Sequence, residues 1–377
     1  MSNKKESKLS FVLDNMKFPV IAIVLSFIIG TFFILWTGNN PLIAYGALFG
    51  GSLGDIPKIG QTLLKTTPLI FTGLSVAFAF RTGLFNIGAE GQYVMGALFS
   101  VIAGYVFRGM PGFILVPAIL ISGALGGAIW AFIPGVLKAK MGIHEVIVTI
   151  MLNYTALFVS NFFIRTIMNP KTLMGTEQKA YSVLIPEHGR LTQLTEIFPP
   201  FDYSSVNTGI FVAILVAIGV WFILFKTTMG YELRSVGHNP TASEYGGISI
   251  TKNIILSMVI AGALAGLAGS TIVAGLTYKI DMASASAGYG FTGISVALVG
   301  KNHPIGVLAS ALLFGIMSNG SRSMQIAGIP KEVVGIIQGI IIIFIAGEAI
   351  LKVLPAWQER RKKKKELKKE IDTKEAE

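Results

Sequence analysis

Pro19-Val20-Ile21-Ala22-Ile23-Val24-Leu25-Ser26-Phe27-Ile28-Ile29-Gly30-Thr31-Phe32-Phe33-Ile34-Leu35-Trp36-Thr37 runs for nineteen residues without a charged side chain. As a helix it extends about 28 Å, close to the ~30 Å hydrocarbon thickness of a bilayer. Lys4, Lys5, Lys8 and Lys17 precede it, as in the basic start of a signal peptide. The run is long for such a peptide, and no small-x-small cleavage site follows, so it reads as a retained first span.

Outward from it, further apolar runs cover Leu63–Phe80, Gly91–Phe107, Gly112–Leu137, Val146–Ile164, Val206–Phe225, Ile254–Leu276, Ala283–Gly300, Pro304–Gly320 and Val333–Glu348. The expected fold is an all-α integral membrane protein of about ten transmembrane helices, some short or broken. Composition agrees: 52% of the 377 residues are hydrophobic and 14% charged, against about 25% charged in soluble domains. Cysteine is absent, which excludes disulfides, thiolate metal sites and a cysteine nucleophile.

Ten spans place both termini on one side. Residues 352–377 hold ten Lys/Arg and six Asp/Glu, including the run Arg360-Arg361-Lys362-Lys363-Lys364-Lys365. A basic tail beside a span reads as a cytoplasmic anchor on anionic headgroups rather than as a nucleic-acid contact. Inside segments then carry 21 of the 31 Lys/Arg; without the tail the balance is 11 to 10. Orientation rests on the tails. The layout is a cytoplasmic tail (1–18), a membrane domain (19–350) and a basic tail (351–377). The longest outer connection covers 166–205 and a cytoplasmic loop covers 227–252.

That outer connection, Thr166–Ser205, nearly balances Lys171, Lys179 and Arg190 against Glu177, Glu187, Glu196 and Asp202, and is punctuated by Pro186, Pro199 and Pro200. An ordinary loop and a docking surface for an external partner fit it equally. Gly262, Gly266 and Gly269 share helical spacing and read as a close-packing face. Phe71-Thr72-Gly73-Leu74-Ser75-Val76-Ala77 recurs 220 residues later as Phe291-Thr292-Gly293-Ile294-Ser295-Val296-Ala297. Both copies fall in spans running inward, a parallel repeat or a chance match in a glycine-rich chain.

No G-x-x-x-x-G-K-[ST] or H-E-x-x-H is present, and His144, His188, His238 and His303 show no metal-ligand spacing. Uphill transport would therefore draw on an ion gradient or another subunit. Two segments stand out. Arg81-Thr82-Gly83-Leu84-Phe85-Asn86-Ile87-Gly88-Ala89-Glu90-Gly91-Gln92 sets polar groups at or near membrane depth through three glycines. It is either a tight turn with Glu90 paired to Arg81, or a broken segment at the inner end of a pathway. Met229 through Ile248 contains Asn239, a good N-cap, Pro240 for the first helical position, Glu244, and Gly246-Gly247 as a stop. The implied helix of about two turns is too short to persist alone, so its own helices or a partner's groove must hold it.

The stretch Gly83–Gln92, the loop Arg234-Ser235-Val236-Gly237-His238-Asn239-Pro240 and the segment Gly290–Gly306 together resemble a permease subunit of bacterial ABC importers, in the group serving branched-chain amino acids, ribose-type sugars and nucleosides. The resemblance runs from about Thr66 to Ala346 and is closest to the nucleoside branch. It implies a multi-pass protein of the bacterial cell membrane, not itself an enzyme, with no cofactor on this chain because ATP is used by a separate ATPase subunit. It also implies a second permease subunit, a heterodimer being preferred over a homodimer, and an external substrate-binding lipoprotein. The helix within Asn239–Gly247 is implied to be a coupling helix, with Arg234, Gly237, His238, Asn239, Pro240, Ala242, Glu244, Gly246 and Gly247 as the coupling set. His238 departs from the acidic or small polar residue expected there.

A nucleoside is neutral, with a planar base and a hydroxyl-rich ribose, so its passage wants aromatic faces and amides. Phe71, Phe85, Asn86, Glu90, Gln92, Asn153 and Phe291 are the candidates for the translocation path, with Tyr154 as a further polar aromatic. The alternatives are a permease for ribose-type sugars or branched-chain amino acids, and an ion-coupled secondary transporter. The last would want relays inside the spans, yet Asp281 and Glu348 fall near span ends.

Overall fold

A computed structural model describes residues 3–197, 201, 203–282, 287–345 and 347, with side chains from residue 18 onward. Every regular element among them is helical. Contacts divide the chain into two units, residues 1–41 with 331–377, and residues 42–330.

The first unit contains α1 (Asn3–Trp36) and α14 (Glu332–Ile345). The second begins with the short apolar α2 (Pro41–Leu53) and the long α3 (Ile56–Arg81), whose start is fixed by the Asp55 carboxylate accepting from the Lys58 amide at 2.8 Å. Then come α4 (Ala89–Val106), α5 (Gly112–Met141), α6 (Glu145–Thr166), the single turn α7 (Pro170–Met174) and α8 (Gly209–Lys226). Two helices follow at one end, α9 (Thr228–His238) and α10 (Pro240–Tyr245). α11 (Ile250–Ile272) ends in a wider π turn, Val273–Thr277, and the chain closes this unit with α12 (Tyr289–Val299) and α13 (Pro304–Ile326).

Seven helices among the described residues are long and apolar enough to cross a membrane. They correspond to seven of the ten expected spans. The other three fall on α4, α12 and α14. α4 has 18 residues but opens with Glu90 and Gln92, and α12 has 11, about 16 Å of helix and roughly half a bilayer. The expected span Ala283–Gly300 is therefore corrected to a short helix starting at Tyr289, with 283–286 outside the described residues. Glu348 and the basic tail also lie outside them.

α11 is the hub of the second unit, packed on α5, α4 and α3. The expected close-packing face is real. A Cβ on Gly262 or Gly266 would strike the backbone of Gly127 or Gly123 on α5, and one on Gly269 the Tyr93 carbonyl on α4. Backbones this close gain dispersion contact along the crossing, which is how helices associate without water to drive them together. The two copies of the repeated heptapeptide lie against each other: Gly293 faces Thr72, and Gly73 faces Val296. With Arg81 bonded to Asn302 further along, α12 runs parallel to α3.

Candidate functional site

One end of the second unit brings together all three motif segments. α9 buries Gly230, Leu233 and Val236 on one face, the i, i+3, i+6 stripe of an amphipathic helix. Its neighbour Gly237 meets the turn after α3 so closely that a Cβ would land on the Arg81 carbonyl oxygen. Gly83 answers from the other side: its φ of 77° suits glycine, and a Cβ there would lie 3.4 Å from the Gly237 backbone. Arg81 donates from Nε to the Asn302 carbonyl at 2.8 Å, tying in the turn between α12 and α13.

The Phe225 ring, in the last turn of α8, sits between two guanidinium groups and an imidazole. The Arg81 guanidinium lies 5.6 Å from its centroid, the Arg234 guanidinium 5.2 Å, and the His303 ring 5.1 Å. Burial and then the charge of Arg81 hold His303 below the ordinary histidine range. Neutral imidazole suits its contact here, Nδ1 accepting from the Ile305 amide at 3.3 Å.

α10 hangs from this junction. The Asn239 Oδ1 accepts from the Ala242 amide at 3.0 Å, Pro240 occupies the first helical position, and the helix stops at Gly246, followed by Gly247 at φ 79°. Of its six residues only Ser243 is buried, while Ala242 and Glu244 are exposed and Tyr245 is 91% exposed. His238, Asn239, Pro240, Gly246 and Gly247 are exposed as well; Arg234 and Gly237 are half-buried. So α10 packs on α9 and α11 through one narrow edge and leaves the rest of its surface uncovered within this chain. Only α10 was expected in this loop. α9 was missed because Gly230 and Gly237 argue against a helix locally, whereas both are required by close packing.

Deeper in the bundle lies a second cluster. The Asn86 and Gln92 amides exchange two hydrogen bonds, Nδ2 to Oε1 at 2.9 Å and Nε2 to Oδ1 at 3.0 Å. Asn153 Oδ1 accepts from the Gly91 amide at 2.8 Å, and its Nδ2 donates to the Ile87 carbonyl at 3.0 Å. Glu90, 2% exposed, accepts from the Gly288 and Gly290 amides at 2.7 and 2.6 Å. A carboxylate thus sits at the N-terminus of the half-length α12, where the unsatisfied N–H groups and the helix dipole favour negative charge. Hydrogen bonds to a charged group contribute about 1.5–3 kcal/mol each. Arg81 holds the Asn302 carbonyl and Glu90 the start of α12. Two separate ties thus run from the ends of the α3–α4 connection to the two ends of α12.

Of the path candidates, Phe71, Asn86, Glu90 and Gln92 are fully buried and Asn153 is 9% exposed. Phe85 is half-buried against Phe80, ring centroids 5.0 Å apart. Phe291 is 49% exposed, on α12, and Tyr154 is 61% exposed on α6. Ser75, at 3.4 Å from the Asn86 amide, joins the cluster unforeseen, as do Gly288 and Gly290; apolar surroundings in sequence conceal all three.

At the far end of α11, the connection 166–205 is ordered where described. Ser182, Ile185 and Leu191 donate their amides to the carbonyls of Ile280, Tyr278 and Ala274, and Asn207 donates to the Gly275 carbonyl. Asp281 pairs with Lys279 at 3.3 Å at this same partly exposed edge.

Residues 58–346 match the family model described as branched-chain amino acid transport system / permease component. The guanosine ABC transporter permease protein NupP of Bacillus subtilis is 43% identical over 90% of this chain and 95% of its own length. The nucleoside ABC transporter permease protein NupB of Lactococcus lactis is 42% identical over 89% and 92%. The glucose ABC transporter permease protein TsgB13 of Haloferax volcanii is 31% identical over 89% and 88%. No solved structure matches.

Proposed function

This chain belongs to the branched-chain amino acid transport system / permease component family, and from that premise we propose that it is the transmembrane permease subunit of an ATP-driven ABC importer for nucleosides. It is a multi-pass protein of the cell membrane. The substrate class rests on the two relatives above 40% identity, a guanosine and a nucleoside permease. The glucose permease at 31% identity favours ribose-type sugars as the second reading.

In this reading about ten helices lie in the membrane, α12 passing only part of the way, the termini face the cytoplasm, and α9 and α10 face it too. α10 is the coupling helix, set in a cleft of a separate ATPase subunit, which supplies the ATP chemistry. The observation that carries this is the pairing of an exposed, capped helix with a rigid root at Gly237. Movement of α10 reaches α3 through the Gly237–Arg81 contact and α12 through the Arg81–Asn302 bond. ATPase closure shifts the permease only by its differential affinity for the two arrangements. A second permease subunit, preferably a different chain, completes the path, and an external binding lipoprotein docks over the 166–205 connection.

Phe291 and Phe85 are the path candidates that keep exposed ring surface for a nucleobase. Asn86, Gln92, Asn153 and Glu90 have their hydrogen bonds taken, so they frame the path and hold the start of α12 in place; Phe71 is buried within α3. The test is uptake of labelled guanosine, adenosine, uridine, ribose and leucine by cells with and without the gene, under ATP depletion and under an uncoupler. ATP-dependent nucleoside uptake should disappear with the gene. Uptake that survives ATP depletion and collapses with the uncoupler contradicts an ATP-driven permease.

A further inference from the structure

Behind the exposed α10 lies a cavity of about 570 Å³, bounded by α9, α10 and the start of α11. Its walls include Tyr231, Ser235, His238, Asn239, Ser243 and Ile248, with Glu232 among them. No lysine or arginine lines it. Glu232 is half-buried and, among the described residues, forms no ion pair. One of its oxygens, Oε2, accepts from Asn253 Nδ2 at 3.2 Å, and the same Asn253 amide is anchored on the Ser249 carbonyl at 3.0 Å. The carboxylate is therefore aimed by a neutral amide and left with its charge uncompensated.

A half-buried carboxylate that lines an open pocket and has no counter-charge is a ready partner for a cationic side chain. Around it stand the Ser235 and Ser243 hydroxyls, the His238 imidazole and the ring of Tyr231, whose face attracts cations. We propose that this cavity is a receptor for a Lys or Arg side chain of the ATPase subunit, which enters beside α10 and pairs with Glu232. The inference rests on the coupling reading of α10 and adds to it a specific anchor. α10 then sits in a cleft of the ATPase while a cation of the ATPase sits in a pocket of the permease, so the contact grips from both sides. Such a pair acts chiefly on how long the complex lasts.

The experiment uses the assembled complex. Retention of the ATPase on the solubilised permease is followed through a sodium chloride series, alongside ATP-driven guanosine uptake, for wild type, Glu232→Gln, Glu232→Lys and Ala242→Pro. Glu232→Gln keeps an oxygen for Asn253, so membrane level and thermal melting should hold. Its ATPase should dissociate at lower salt, with uptake down about tenfold. Glu232→Lys should lose both, and a Lys/Arg→Glu change in the ATPase should restore them. Wild-type retention and uptake in both Glu232 variants overturns the pocket, as does rescue of Glu232→Lys only by changes within this chain. If Ala242→Pro also transports normally, the coupling reading itself has failed; if it alone is defective, only the pocket has.

Discussion

The two polar regions of this bundle are built on opposite principles. Around Glu90, Asn86, Gln92 and Asn153, amides and carboxylate find partners within the chain, nearly all at 2.6–3.1 Å. Around α10, a helix is capped and rooted, yet five of its six residues are left uncovered. In a low-dielectric interior an unsatisfied polar group is expensive, so a fully paired cluster there defines one arrangement. An exposed short helix defines nothing until a partner covers it. The deep cluster is a frame and the α10 end is a handle. The Gly237–Arg81–Asn302 line joins them.

The comparison is broken most severely at that joint. Gly237→Trp places a side chain where even a Cβ meets the Arg81 carbonyl; uptake should fall about tenfold to a hundredfold with normal membrane insertion, since overpacking costs roughly 1–3 kcal/mol. Protein in the membrane with normal uptake would mean the joint does not transmit. Glu90→Ala comes next. It strips two charge-assisted bonds from the start of α12 and should lower transport or assembled complex about tenfold or more, whereas Glu90→Gln should be milder because its carbonyl still accepts. Full activity at normal expression in Glu90→Ala would return that segment to a plain turn. Asn239→Ala removes the cap of α10, worth about 1 kcal/mol, so a roughly fivefold drop in uptake is expected without loss of folded protein. Asp281→Asn is expected to change uptake hardly at all, because Asp281 sits at a partly exposed edge beside Lys279; abolished uptake there would reveal a proton relay in place of the frame.

Much of the handle was legible in the sequence and less of the frame. Asn239 followed by Pro240, with Gly246-Gly247 beyond, specifies a short capped helix by local chemistry alone, and local chemistry forms it. α9 was not legible, because the glycines that discourage it locally are demanded by backbone packed against it, the Arg81 carbonyl for Gly237 and the α8 carbonyls of Ile223 and Leu224 for Gly230. The same holds for α12. Its apolar composition resembles a full span, but its start at Tyr289 is met by Glu90, 200 positions earlier in the chain for the Gly290 bond. Asn86, Glu90 and Gln92 were recognisable as unusual at depth. Their role was not, since pairing of amide with amide depends on the fold of the turn between them.

The most direct test is the ratio of ATP hydrolysed to guanosine imported by the complete complex in proteoliposomes, wild type against Ala242→Pro. Proline there removes the amide that Asn239 caps. The frame-and-handle account predicts continued ATP hydrolysis with import reduced to background. Import at the wild-type ratio would show that α10 does not couple the ATPase to the membrane helices.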